Sequence, residues 1–183
     1  MKKKLNLLFL VSVVFLLFIA CVKDTDLDQT DDIVVSPVIE LDFLFFTIDS
    51  ESFENNNIGI GNLTVTDTTE FSFLNDDFSS DNLIRAEFYF KYTNGLPLNF
   101  ITEYQFLDED NELHYEITIP VDAGSVDSPL ITEHTENIEG DRIIDLKNSE
   151  KVVVNIIAPS SVDNLEGTLN LQSKTTYYLS IEQ

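Results

Sequence analysis

The sequence predicts an all-β chain, an antiparallel β-sandwich with immunoglobulin-like topology as the leading expectation, and three observations predict it. From Val38 onward apolar residues recur at every second position, the period of a strand with one buried face. Gly, Pro, Asn and Asp punctuate these stretches at short intervals, as in sandwiches. Helix signals are few, confined to a turn near Asp77–Asn82 and another at Ser160–Leu165, where Ser or Asp can cap.

The elements follow in order. In Ile39-Glu40-Leu41-Asp42-Phe43-Leu44-Phe45 the odd positions are apolar and two of the three even ones acidic. The clearest strand runs from Ile84 to Tyr92. Ile84, Ala86, Phe88, Phe90 and Tyr92 share one face; Arg85, Glu87, Tyr89 and Lys91 share the other. Thr93-Asn94-Gly95-Leu96-Pro97 then breaks the strand, and Asn-Gly predicts the positive-φ positions of a tight turn. Asn99–Leu107 and Leu113–Val121 read as an antiparallel hairpin around the polar tip Asp108-Glu109-Asp110-Asn111-Glu112. Pro120 assigns the second of these to an edge or a strand end. Later strands are expected at Leu130–Glu136, Lys151–Ile157, Gly167–Leu171 and Thr176–Ile181. The run Val152-Val153-Val154-Asn155-Ile156-Ile157 is apolar on both faces, which suits a central strand. No fixed-period repeat is visible. Asn94-Gly95-Leu96-Pro97-Leu98, between two strands, resembles the asparagine-to-proline corner of water-stress-type immunoglobulin-like sandwiches, without the usual Asn-Pro pair.

The N-terminus has a different composition. Met1-Lys2-Lys3-Lys4 is cationic, Leu5–Ile19 is apolar except for Asn6 and Ser12, and Ala20-Cys21 follows. A basic start, a short apolar stretch and a small residue at the cleavage point describe a secretory signal over residues 1–20. The apolar run of about 15 residues is short of the roughly 20 that span a bilayer core. Residues 21–37 are predicted to be a flexible tether. Five aspartates fall between Asp24 and Asp32, repelling one another and leaving no apolar face. A single domain over 38–183 completes the expected organisation.

Phe18-Ile19-Ala20-Cys21 resembles a lipobox, the motif of bacterial lipoprotein precursors, with Phe18 where Leu is commonest, a relaxed form familiar from Bacteroidota. The resemblance implies diacylglycerol on the Cys21 thiol, cleavage before Cys21 and usually N-acylation of the new terminus. Two or three acyl chains would hold the protein on a membrane without any protein partner. Val22-Lys23-Asp24-Thr25-Asp26 is similar to the lysine-plus-acidic tract of surface-exported Bacteroidota lipoproteins. Lys23, Asp24 and Asp26 would be its signal residues, and Thr25 interrupts the acidic pair. An outer-membrane lipid anchor is therefore expected, with surface display favoured over the periplasmic face.

Charge narrows the partners. The chain carries −23 at pH 7, and removing residues 1–20 takes three lysines away, leaving 163 residues with 7 basic and 33 acidic side chains, net −26. Such a field repels nucleic acid and anionic lipid head groups. Cys21 is the one cysteine, so a mature domain lipidated there has neither disulfide nor thiol chemistry.

Residues that carry chemistry are sparse. His114 and His134 stand in alternating strands beside glutamates, on the side read as solvent-facing, and no Gly-x-Ser-x-Gly elbow accompanies them. Two histidines without a thiol do not make a structural zinc site. Asp108–Glu112 superficially resembles a calcium loop, but Leu113 stands where an EF-hand requires glycine. Asn75-Asp76-Asp77 with Asp81-Asn82 forms a second oxygen-rich stretch. No metal or cofactor is expected, and no catalytic set can be named. Glycan binding normally relies on exposed Trp or paired Tyr; Trp is absent, and Tyr177 and Tyr178 point to opposite faces of a strand. Tyr89 and Tyr104 are the possible platform members.

These readings lead to a non-enzymatic envelope lipoprotein whose sandwich binds or scaffolds an envelope partner. The alternative is a surface carbohydrate- or ligand-binding lipoprotein working beside an outer-membrane uptake system. A concave sheet face with clustered Tyr and Asp would favour that alternative.

Overall fold

The computed structural model describes residues 34–49, 63–71, 73–74, 76–158 and 166–182. The chain divides into two compact units, Met1–Val34 with Glu182–Gln183, and Val35–Ile181. The second contains all the elements discussed below.

Among the described residues of this unit, eight strands have eight residues or more. They are β1 (Val38–Asp49), β2 (Leu63–Glu70), β3 (Leu83–Asn94), β4 (Phe100–Leu107), β5 (Leu113–Val121), β6 (Leu130–Glu139), β7 (Lys151–Ala158) and β8 (Thr168–Leu179). They form two four-stranded sheets, ordered β1-β8-β3-β6 and β2-β7-β4-β5. Every pairing is antiparallel.

The antiparallel sandwich is the fold the alternation predicts. Its strand order, however, is that of a jelly roll rather than the immunoglobulin arrangement. Consecutive strands switch sheets at every step except β4 to β5. That switching also explains a second difference. Asn94-Gly95 does not close a hairpin, because β3 and β4 lie in different sheets, and Gly95 is absent from the positive-φ positions. Asn94 is buried instead. Its Nδ2 donates to Leu98 O and Asp122 O, both at 2.8 Å, and its Oδ1 accepts from Leu96 N at 2.9 Å. One amide thus ties the crossing corner to the β5–β6 connection. Glycine is required nearby at Gly167, whose φ is 122° and whose added Cβ would stand 2.2 Å from Gly95 O.

Other expectations map closely. The β4–β5 hairpin forms with Phe100 opposite Val121, and β5 is an edge strand, as Pro120 requires. β7 is interior, paired with β2 and β4. Gly167–Leu171 and Thr176–Ile181 prove to be one 12-residue strand, β8. The polar residues between them stay within its ladder, and Ser173 and Thr175 are buried. The turn near Asp77 is the helix α1 (Asp77–Asn82), capped by Asp76, whose Oδ2 accepts from Ser79 N at 3.0 Å. A second helix, α2 (Arg142–Lys147), links β6 to β7 and was not signalled in the pattern. The turn expected at Ser160–Leu165 lies outside the described residues.

The core is aromatic and joins both sheets. Phe88 of β3 meets Phe106 of β4 edge-on at 5.3 Å and Phe43 of β1 at 5.1 Å. Phe71 stacks on Phe106 at 5.5 Å. The hydroxyls of Tyr92 and Tyr104 hydrogen-bond across the sheet interface, giving two buried phenols their polar partner. At the β5 and β6 edges the sheets are fastened by Arg142. Its Nη1 donates to Tyr115 OH at 3.0 Å and to Glu136 Oε1 at 3.1 Å, while Tyr115 OH donates to the same carboxylate at 2.5 Å.

Candidate functional site

The outward face of the β1-β8-β3-β6 sheet holds most of what could recognise a ligand. The register aligns its outward side chains in cross-strand rows. Asp42, Lys174, Tyr89 and Thr135 form one row; Phe45, Gln172, Lys91 and Glu133 form the next. Arg85, Lys91 and Lys174, three of the seven basic residues after position 20, lie on this face.

Phe45 reaches this face through a β-bulge. Asp42 pairs with Lys174 and Phe45 with Gln172, so Phe43 and Leu44 together oppose Ser173 alone. A two-residue period extended from Ile39 would turn Phe45 into the core. The extra residue shifts the phase: Leu44 and Ile48 are buried, and Phe45 is 57% exposed. Ser173 stabilises the irregularity. Its Oγ accepts from Leu44 N and donates to Leu44 O, both at 2.9 Å, replacing the ladder partners that the bulge removes. The substitution Ser173→Ala would leave both groups unpaired inside the protein. We expect it to cost about 2–3 kcal/mol, lowering the melting temperature by about 4–12 °C in a calorimetric scan. An unchanged midpoint would show that the hydroxyl does not hold the bulge.

Beside Phe45 lies a shallow groove of about 190 Å³ lined by Asp42, Phe45, Tyr89, Lys91, Gln172, Ser173 and Lys174. Tyr89 is fixed by its hydroxyl, which donates to Glu133 Oε1 at 2.8 Å, and that bond is the chief reason its phenol sits above the ordinary value. Lys174 Nζ contacts Glu40 Oε2 at 2.6 Å, which raises the lysine above its usual range. Lys91 has no carboxylate partner within ion-pairing distance among the described residues. Further along β3, the Arg85 guanidinium lies 4.1 Å above the Tyr178 ring and bonds Glu87 at 2.9 Å. A cavity of about 220 Å³ at the β1 and β2 edges is lined largely by Phe46, Ile48, Val154 and Ile156, which also pack in or against the core.

The remaining candidates have structural partners. Tyr104 is fully buried and is no platform. Tyr177 is buried and Tyr178 half-exposed, on opposite faces as the strand period requires. His114 Nε2 contacts Asp108 Oδ2 at 2.9 Å on the outside of β5, and the same Asp108 accepts from Glu112 N at 2.8 Å through Oδ1. These bonds, His114 first, lower the Asp108 carboxyl below its ordinary value. Both of its oxygens are engaged, Oδ2 by His114 and Oδ1 by the Glu112 backbone. Asp76 likewise serves as a helix cap. His134 departs from expectation. It lies on the inward side of β6, with its ring 6.3 Å from Phe90 and Nε2 3.6 Å from Glu136. The inner side of an edge strand meets the core along only part of its length, so polar residues fall on both of its faces. Cys21, Lys23, Asp24 and Asp26 lie outside the described residues. Phe45 is the residue the pattern missed; the unbroken apolar run Phe43–Phe46 was the available sign that one of its members must turn outward.

Eight antiparallel strands in this order define a jelly-roll domain with a candidate ligand groove on one outer sheet face. No family model and no curated protein matches the chain. Among solved structures, it is similar to a Parabacteroides distasonis protein described as secreted. The identity is 16%, over 63% of this chain and 38% of that one, with a TM-score of 0.47. It is similar also to the infectious bursal disease virus VP2 subviral particle, at 8% identity over 79% of this chain and 32% of that one, TM-score 0.46. The chain thus spans well under half the length of either.

Proposed function

We propose that this chain is a cell-envelope lipoprotein, anchored through Cys21, whose jelly-roll domain is a non-enzymatic binding module. The observation that carries the binding role is the bulge that turns Phe45 to solvent beside Tyr89, Lys91 and Lys174. A bulge that re-aims a phenylalanine to solvent, secured by a buried serine, is an arrangement suited to contact with something outside the fold. The histidines support a non-enzymatic reading, since His114 is engaged by a turn aspartate and His134 faces the rim of the core. The lipobox-like Phe18–Cys21 and the acidic stretch after it support the anchor.

Two measurements test this. Mass spectrometry of the mature protein should find an acylated N-terminal Cys21, and Cys21→Ala should abolish acylation and membrane retention. An unmodified chain retaining Met1 would overturn the anchor. Hydroxyl-radical footprinting should find Phe45 less labelled on intact cells than in the purified protein, with Phe78, which is 55% exposed, serving as the reference. Equal labelling of Phe45 in both settings would refute the binding face.

A further inference from the structure

We propose that the groove beside Phe45 is a subsite for one sugar ring of a neutral polysaccharide, an inference that rests on the binding-face reading and specifies its ligand. Three observations favour this chemistry. The groove combines an exposed aromatic side chain with a rim of both donors and acceptors: Lys91, Lys174, Gln172 and Asp42. A sugar ring has an apolar C–H face for the aromatic and hydroxyls at its edge for the rim. A wholly apolar ligand would cover these polar groups without satisfying them.

Size indicates a single ring. At about 190 Å³ the groove is smaller than the roughly 300 Å³ at which pockets for drug-sized molecules begin. A chain of sugars could place one ring here and run along the sheet in either direction. The neighbouring rows offer Thr135, Thr176 and Asn137 beside Tyr89 and Glu87.

Charge selects a neutral polymer. A net charge of −26 on the mature chain repels polyanions at a distance. At the groove itself Asp42, Glu40 and Glu133 surround the lysines. Lys174 is engaged with Glu40, which leaves Lys91 as the groove lysine able to turn toward a hydroxyl. A protein partner would call for a broader apolar centre than one aromatic ring among polar rows.

The test uses the mature full-length lipoprotein in detergent, passed over immobilised dextran, mannan and xylan as neutral probes and polygalacturonate and alginate as anionic ones. Retention is expected on at least one neutral polymer, with little dependence on salt. Phe45→Ala should weaken it by about tenfold or more, and Gln172→Ala should weaken it too. Ile84→Ala removes a residue 52% exposed outside the groove and should change nothing. Melting curves of each variant establish that it is folded. Retention on none of the neutral polymers, or retention indifferent to Phe45→Ala, would overturn the proposal. Retention on the anionic polymers alone, lost in salt and in Lys91→Ala, would also overturn it and assign the groove to acidic sugars. Should footprinting find Phe45 protected on cells while no polymer binds, the binding face stands and the sugar assignment falls.

Discussion

Replacing Phe88 with alanine is expected to destabilise the domain by about 3–5 kcal/mol. Phe88 is completely buried and packs against Phe43, Phe71 and Phe106, which come from three separate stretches of chain. The hydrogen-bonded ladders on both sides of β3 fix the backbone from which Phe88 projects, so the surrounding rings can close only partly over the space left by the lost ring. The cost should fall toward the upper end of that range, with a loss of roughly 10 °C or more in melting temperature. Ile84→Ala is the informative comparison. Ile84 belongs to the same alternating set in the sequence, but at 52% exposure it should change stability by only about 0.5 kcal/mol or less. Equal losses from the two variants in denaturant titrations would contradict the assigned core.

Alkaline unfolding is the second large effect. Burial pushes the Tyr92 hydroxyl up to about 12, raises Tyr104 well above its ordinary value, and raises Tyr177 as well. The unfolded chain ionises these phenols near pH 10, whereas the native state keeps them protonated. The native state therefore binds more protons in this range, and stability falls as pH rises. The contribution is complete below pH 10; for Tyr92 it is lost between about 10 and 12, and for Tyr104 and Tyr177 the loss continues to higher pH. For Tyr92 alone, fully buried, a rise from 10.0 to about 12 corresponds to about 2–3 kcal/mol. Tyrosinate absorbance and far-ultraviolet circular dichroism recorded together would check this. The buried tyrosines should ionise only as the β signal disappears. Ionisation of all six tyrosines by about pH 11, with the β signal intact, would contradict the buried pair.

The strands were legible because the period of two is local. β3, β4 and β5 could be read nearly to their ends, and Pro120 marked an edge because a residue without an N–H cannot serve in the middle of a ladder. Two places misled the pattern for the same reason: the alternation was read straight through an irregularity. At Asp42–Phe45 the bulge inverts which residues face the core. At Leu83–Arg85 a register shift leaves Leu83 buried and Ile84 exposed. The candidate groove was correspondingly obscure. Tyr89 could be named from its outward position, but Tyr104, named with it, belongs to the core. Lys174 and Gln172 lie more than a hundred residues from Phe45, and nothing near them in the sequence marks them as its neighbours.

By itself, the sequence determined an all-β chain, the spans of most strands, a strongly acidic composition, and a lipobox-like motif ending at Cys21. These depend on local periodicity, composition and short motifs. Only the tertiary structure decided the jelly-roll order, because alternation reports which way a side chain points and not which distant strand its backbone will pair with. It alone decided that Phe45 faces outward, since that orientation depends on Ser173 of β8 satisfying Leu44 of β1 across 129 residues of chain.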